Sequence, residues 1–158
     1  MEVKDLDIEN EPFATISVNF SLRSEALVPA EITKQMGIEP SHAFMKGDEF
    51  DSRSGKHRHP WGIWQLRSNP AVLSGDVAAH VDYILGILGP NRKVIEGFLK
   101  DSKYYVEVRI RWSAAYPVCS YSLPSNLLTR LAAVCNQLVV SCVMHPIENG
   151  AGSIESEM

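Results

Sequence analysis

Two segments of the chain alternate strictly between apolar and polar side chains. Residues 14–22 and 104–112 each carry five apolar positions separated by polar ones. A period of two places consecutive side chains on opposite faces of a β-strand, so each strand has one buried and one polar face. Such strands favour a mostly antiparallel sheet with helices on one face and solvent on the other. The apolar positions are Ala14, Ile16, Val18, Phe20 and Leu22, then Tyr104, Val106, Val108, Ile110 and Trp112.

The rest of the chain supplies the other elements of an α+β domain. Pro29 suits the first position of a short helix, and Gly37 ends that helix. Ser74 is a suitable N-cap for a longer helix, which Gly89–Pro90 breaks. Residues 48–60 are polar and without periodicity, which indicates a hairpin loop. Further strands are predicted at 42–46, 61–67 and 139–144, and further helices at 94–99 and 124–138.

The predicted order of elements is strand, helix, two strands, helix, strand, helix, strand. The first six match a ferredoxin-like split βαββαβ core, to which a C-terminal helix and strand are added. The last strand, residues 139–144, is apolar enough to be largely buried. We expect a single domain over residues 12–146, with an acidic tail at 1–11 and a flexible tail at 147–158.

Charge divides the tails from the body of the chain. The whole sequence carries a formal net charge of −4. Before residue 12 and after residue 147 there are eight acids and one lysine, a net −7, which leaves +3 for the body. Dedicated nucleic-acid binders usually show clustered Lys and Arg and a pI above about 9. The balance therefore argues against nucleic acid as a partner.

Cysteine usage and hydropathy bear on the compartment. The chain has three cysteines, an odd number, and its N-terminus is acidic with no apolar stretch to act as a signal peptide. No apolar run approaches the ~20 residues needed to span a bilayer. We therefore expect a cytoplasmic protein with free thiols and no membrane association.

Several motifs in order along the body resemble a known family. They are the segment 28–41 with its Gly-Ile-Glu-Pro end, the Lys-Gly pair at 46–47, the Gly-x-Trp-x-Leu strand at 62–66, the helix 77–88 and the segment 123–132. Their order and spacing are similar to the bacterial domain-of-unknown-function family 4279, over residues 13–144. The resemblance implies a single α+β domain and carries no known activity, cofactor or catalytic residue.

The recurring positions also have structural explanations, and some features depart from the family. Gly37 is predicted to end a helix, Pro40 to fix a turn, Gly47 to permit a tight bend and Trp64 to anchor the core. The basic stretch at 53–59 and the three cysteines are the departures.

A metal site is the first chemistry to weigh. His57 and His59 form a His-x-His pair that can ligate zinc, with Asp48, Glu49 and Asp51 nearby in sequence. However, Lys56 and Arg58 flank the pair and disfavour a cation, and no cysteine or carboxylate completes a recognised spacing. His57 and His59 are therefore weak candidates, and no cofactor is expected.

The usual signatures of catalysis are missing from the sequence. It has no Gly-x-Ser-x-Gly elbow, no P-loop, no Gly-x-Gly-x-x-Gly and no CxxC. Cys135 and Cys142 are expected to be buried small hydrophobes, whereas Cys119 lies in a loop. His80 is expected at the surface or core edge of its helix. We expect no enzymatic activity and assign no catalytic residue.

The polar faces of the two alternating strands form the candidate binding surface. In a ferredoxin-like sheet these strands lie side by side, so their polar side chains share one face. Arg and Tyr are enriched at protein interfaces, and only one aromatic ring lies on this face, too few for stacking RNA bases. The candidate partner-binding residues are Ser17, Asn19, Tyr105, Glu107, Arg109 and Arg111.

These observations favour a protein-binding module over an enzyme. A concrete version is an immunity protein that neutralises a toxin, by analogy with other small α+β domains that lack a site. The alternative is a small-molecule or metal sensor, or an unrecognised enzyme, that uses the 48–59 loop. A homodimer that pairs through the last strand is a further hypothesis.

Overall fold

The computed structural model describes residues 15–114 and 122–144. In chain order, the elements are β1 (Thr15–Ser24), α1 (Pro29–Met36), β2 (His42–Phe44), β3 (Glu49–Ser52), β4 (Gly55–Arg58), β5 (Gly62–Arg67), α2 (Val77–Leu88), a 3₁₀ turn (Gly89–Asn91), α3 (Arg92–Lys100), β6 (Tyr105–Ala114), α4 (Ser125–Ala132) and β7 (Gln137–Met144). The predicted tails 1–11 and 147–158 lie outside the described residues.

Five strands form the main sheet in the order β2–β5–β1–β6–β7. Every neighbouring pair is antiparallel except β6 and β7, which are parallel. The fold is therefore α+β with a mostly antiparallel sheet, as the alternating strands predicted. The remaining two strands, β3 and β4, pair as a separate hairpin. This hairpin occupies the polar stretch predicted as a hairpin loop.

The core lies on one face of the sheet, where the apolar positions of β1, β5 and β6 meet the helices. Trp64 and Phe20 are among its largest fully buried side chains, and the alternation in both strands places them there. The Trp64 Nε1–H donates to Thr33 Oγ1 of α1 at 3.0 Å, so the indole is both buried and hydrogen-bonded. Burial of these side chains fixes the register, because a slip of one residue would turn each strand over.

Local signals set the helix ends. Pro29 is the first residue of α1, and Gly37 ends it in the left-handed conformation at φ 64°. Asp76, not Ser74, caps α2, since its carboxylate accepts from the Ala78 N–H at 3.0 Å. Ser74 instead accepts from the Asp76 N–H, so the predicted cap was wrong by two residues.

The C-terminal elements differ from the prediction in two ways. Helix α4 ends at Ala132 instead of running on to Leu138, because Asn136 joins the start of β6. The Asn136 N–H donates to Val106 O, and the Val106 N–H donates to Asn136 Oδ1. In addition, β7 is the outermost strand, so its side chains facing the helices are exposed. The expectation of a largely buried last strand was wrong.

Candidate functional site

The face of the main sheet opposite the described helices brings the six predicted binding residues together. In the β1–β6 register Ser17 lies opposite Arg111, and Asn19 lies opposite Arg109. On its other side Asn19 lies opposite Arg67 of β5. Cross-strand partners project from the same face of a sheet, so residues of three strands converge here. We call this surface the arginine face, and its charged members are Arg23, Arg67, Glu107, Arg109 and Arg111.

Glu107 is the single acid of the arginine face, and two arginines hold it. Arg23 Nη2 donates to Glu107 Oε2 at 2.8 Å, and Arg109 Nε donates to Glu107 Oε1 at 2.9 Å. The Glu107 side chain is 6% exposed, against 34% for Arg23 and 40% for Arg109. The carboxylate therefore fixes both guanidinium groups from below while leaving part of each at the surface.

A second set of hydrogen bonds orders the side of the face toward β5. Gln65 Nε2 donates to Ser21 Oγ at 2.8 Å, and Arg67 Nε donates to Gln65 Oε1 at 2.6 Å. Arg111 is exposed, and the described residues give it no hydrogen bond or ion pair. Arg67 and Arg111 thus present the most available positive charge of the face.

The net charge of the arginine face equals that of the body of the chain. It carries four arginines and one glutamate, a net +3. The body of the chain also carries +3, so the charges elsewhere in it cancel. A surface with this net charge attracts acidic groups.

An open groove continues the arginine face at the Tyr105 end of β6. It has a volume of about 650 Å³. Tyr105 and Gln137, which share the face, form its near side. The other lining residues are Leu99, Lys100, Asp101, Ser102, Tyr104 and Asn136.

Sequence reasoning missed two members of the face, Arg23 and Arg67. Arg23 follows the core residue Leu22 in β1, and Arg67 follows the core residue Leu66 in β5. Both therefore project from the polar face of their strand. The same alternation that gave Arg109 and Arg111 would have found both, had it been carried to the strand ends.

His57 and His59, the weak metal-ligand candidates of the hairpin, contact aromatic rings and a serine hydroxyl. His59 stacks on Phe44, with ring centroids 3.4 Å apart, and on Phe50 at 4.3 Å. His57 Nε2 is 2.8 Å from Ser54 Oγ. Within residues 15–114 and 122–144, no three His, Cys, Asp or Glu side chains are grouped to hold a metal ion.

Ser68 and His80 form a buried hydrogen-bonded pair whose partners all belong to the fold. Ser68 Oγ is 2.7 Å from His80 Nδ1, and His80 Nε2 is 2.6 Å from the Ser74 carbonyl oxygen. Because that carbonyl accepts, Nε2 carries the proton and Nδ1 accepts from the serine hydroxyl. Ser68 Oγ also accepts from the Val18 N–H at 2.9 Å. His80 is fully buried, not at the surface or core edge as expected.

The cysteines divide differently from the prediction. Cys135 is buried, as expected, and burial raises the pKa of its thiol, which donates to Leu131 O at 3.2 Å. Cys142 is exposed on β7, so its predicted burial was wrong, because β7 is an edge strand. Cys119 lies outside the described residues.

Comparison with known proteins adds one decisive finding. A family model described as a domain of unknown function (DUF4279) matches residues 14–144. The chain belongs to the DUF4279 family. No curated protein and no solved structure shows significant similarity to it. In the described part of this DUF4279 chain, no helix is both long and apolar enough to cross a membrane.

Proposed function

We propose that this DUF4279 chain is a protein-binding module whose arginine face receives an acidic surface of a partner protein. The observation that carries the proposal is a net charge of +3 on the sheet face opposite the described helices. A structural role for these arginines would call for matching acids, and the face supplies only Glu107. Glu107 pairs with Arg23 and Arg109. Arg67 and Arg111, which have no acidic partner among the described residues, therefore remain for a partner.

The geometry of the face suits carboxylates on a partner. Guanidinium groups present a fixed fork of donors that binds carboxylates in a bidentate manner, and all four cations here are arginine. Glu107 holds Arg23 and Arg109 in place, which lowers the side-chain entropy lost on binding. Arg67 is likewise ordered through Gln65. The groove beside Tyr105 offers a concavity for one anchoring side chain of the partner.

The proposed fold explains why this face is available. The order β2–β5–β1–β6, with every neighbouring pair antiparallel, supports a ferredoxin-like βαββαβ core. In that arrangement both helices of the core cover the same face of the sheet. The opposite face is left to solvent or to a partner.

A toxin-neutralising immunity protein of the cytoplasm is the concrete form of the proposal. Neutralisation needs only a stable complex that blocks a toxin, so it requires neither a cofactor nor catalysis by this chain. A toxin gene directly beside the gene for this chain would support this form, and its absence from related genomes would count against it.

The test is capture of a partner by the tagged full chain from its host's lysate, compared with the variant Arg67→Glu, Arg111→Glu. These two arginines are exposed and lie away from Glu107, so their reversal should leave the fold intact. We expect one stoichiometric protein with wild type and a loss of at least about tenfold with the variant. The captured protein should carry an acidic surface.

A matched variant separates charge from location. Arg92→Glu with Lys93→Glu makes the same change in net charge on exposed positions of α3. We expect this variant to retain the partner. Equal loss with both variants would show a general charge effect and contradict a specific arginine face, and retention by both would place binding elsewhere.

A further inference from the structure

The two edges of the main sheet are treated differently. At one edge, β2 spans only His42–Phe44, follows Pro40, and is flanked by the hairpin through the stack of Phe44 on His59. A short strand, a nearby proline and a covering element are usual protections of a sheet edge. This edge is therefore blunted against further pairing.

Within residues 15–114 and 122–144, the opposite edge lacks those protections. Strand β7 runs for eight residues, Gln137–Met144, and contains no charged residue and no proline. It pairs with β6, and no other strand of the described residues lies on its outer side. A long, uncharged edge strand is a template for pairing with another chain.

Apolar side chains accompany this open edge. Leu138 and Val140 lie opposite Val108 and Ile110 of the core, so they project toward the helix side of the sheet. Nevertheless Leu138 is 36% exposed and Val140 is 50% exposed. Cys142 follows on the same side and is also exposed. The described helices thus leave part of the apolar surface of β7 uncovered.

We propose that the outer edge of β7 pairs with β7 of a second copy of this chain, antiparallel and about a two-fold axis. Such a pairing joins two five-stranded sheets into one continuous sheet of ten strands. It brings Leu138 and Val140 against the same residues of the second copy. It also leaves both arginine faces uncovered, so it stands independently of the proposed function.

Charge decides in favour of a second copy as the occupant. Two identical surfaces meet at a two-fold axis, so a surface with a large net charge of one sign meets the same sign on its copy. The arginine face, at net +3, would repel its own copy. In contrast, β7 has no charge, and an identical strand matches it in length and hydropathy. The β7 edge is the part of the described sheet best suited to meet itself.

The test is the mass in solution of the full chain over a range of concentrations, by light scattering after gel filtration. We expect wild type to approach twice 17.6 kDa as concentration rises. A lysine on the paired edge would bring two like charges together, so Val140→Lys should weaken the dimer by at least about tenfold. Because the interface is uncharged, raising NaCl should change the wild-type dissociation constant by less than about threefold.

The matched control is Leu73→Lys, which makes the same kind of change at a leucine that is 86% exposed and far from β7 in sequence. It should dimerise like wild type. A wild-type chain that stays monomeric at every concentration would overturn the proposal, whatever the state of the variant. A dimer that Val140→Lys leaves intact would also overturn it, as would a β7 edge that binds a different protein and no second copy.

Discussion

At the scale of single residues, Glu107 joins the fold to the proposed function. It is the one nearly buried acid of the sheet, and both of its carboxylate oxygens accept from arginine. Removal of the charge leaves Arg23 and Arg109 without their shared partner and close to each other. The role of Glu107 is to position the two guanidinium groups. Its loss should therefore lower the stability of the fold, whether or not a partner is bound.

We therefore expect Glu107→Gln to lower the free energy of unfolding by about 1–3 kcal/mol, because a buried, hydrogen-bonded charge is lost. The loss is limited because both arginines remain partly exposed to solvent. Urea unfolding followed by circular dichroism measures this. The control is Glu96→Gln on α3, where the exposed pair with Arg92 at 3.5 Å should contribute about 0.5 kcal/mol or less. Equal effects at the two sites would contradict the role of Glu107 in holding Arg23 and Arg109.

Ser68 and His80 are the second residue-scale case, and their role is structural. Ser68→Ala removes the acceptor of the Val18 N–H and the donor to His80 Nδ1, both in the buried interior. We expect a loss of about 1–3 kcal/mol in the free energy of unfolding, since buried polar groups are left unpaired. The exposed hairpin serine gives the comparison, because Ser54→Ala should stay within about 0.5 kcal/mol of wild type. A neutral Ser68→Ala would contradict the structural role of this hydroxyl.

At the scale of elements, β2 links the sheet to the hairpin through a row of rings. His42 contacts Phe44 edge-on with centroids 5.3 Å apart, and Phe44 stacks on His59. Burial lowers the pKa of His42, and the positive charge of Arg67 and the nearby His59 lower it further. The hairpin is thus attached beside an imidazole that the fold holds toward its neutral form.

This arrangement predicts the direction of a pH effect. An unfolded histidine has a pKa of about 6.5, and the folded His42 lies lower, so the unfolded chain binds more protons in this range. The contribution of His42 to stability is present above the unfolded pKa and is lost as pH falls toward the folded pKa. NMR titration of the imidazole should give a pKa below about 6.5 in wild type and a higher one in Arg67→Gln. A value at or above the unfolded pKa would contradict the burial and charge argument.

The elements also show where sequence reasoning succeeds and where it stops. Alternation in β1 and β6 placed Phe20 and Val108 in the core and Arg109 on the open face, because a strand's period is local. In contrast, the position of β7 in the sheet depends on contacts with residues distant in sequence. The apolar sequence of β7 is typical of a buried strand, and it does not indicate that β7 lies at the edge of the sheet. Cys142 is exposed because β7 is an edge strand. The choice of Asp76 over Ser74 as cap likewise depends on where α2 begins.

At the scale of the whole molecule, the layout of charge separates two surfaces. The arginine face is strongly positive and ordered by Glu107, whereas the β7 edge is uncharged. One is suited to an acidic partner and the other to an identical strand. Because the two lie on different parts of the sheet, both can be occupied at once, which would give a dimer with two arginine faces.

Salt distinguishes the two surfaces in a single experiment. The Debye length is about 10 Å at 0.1 M salt and about 3 Å at 1 M, so attraction between an exposed arginine face and an acidic partner is screened over this range. We expect the captured partner to be released as NaCl rises, with the association rate falling more than the dissociation rate changes. The chain itself should meanwhile remain a dimer.

Surface plasmon resonance of the purified pair at several salt concentrations measures the release of the partner. Light scattering of the chain at the same salt concentrations measures its mass. Binding that resists salt would contradict an electrostatic arginine face, since attraction between exposed charges weakens when salt screens them.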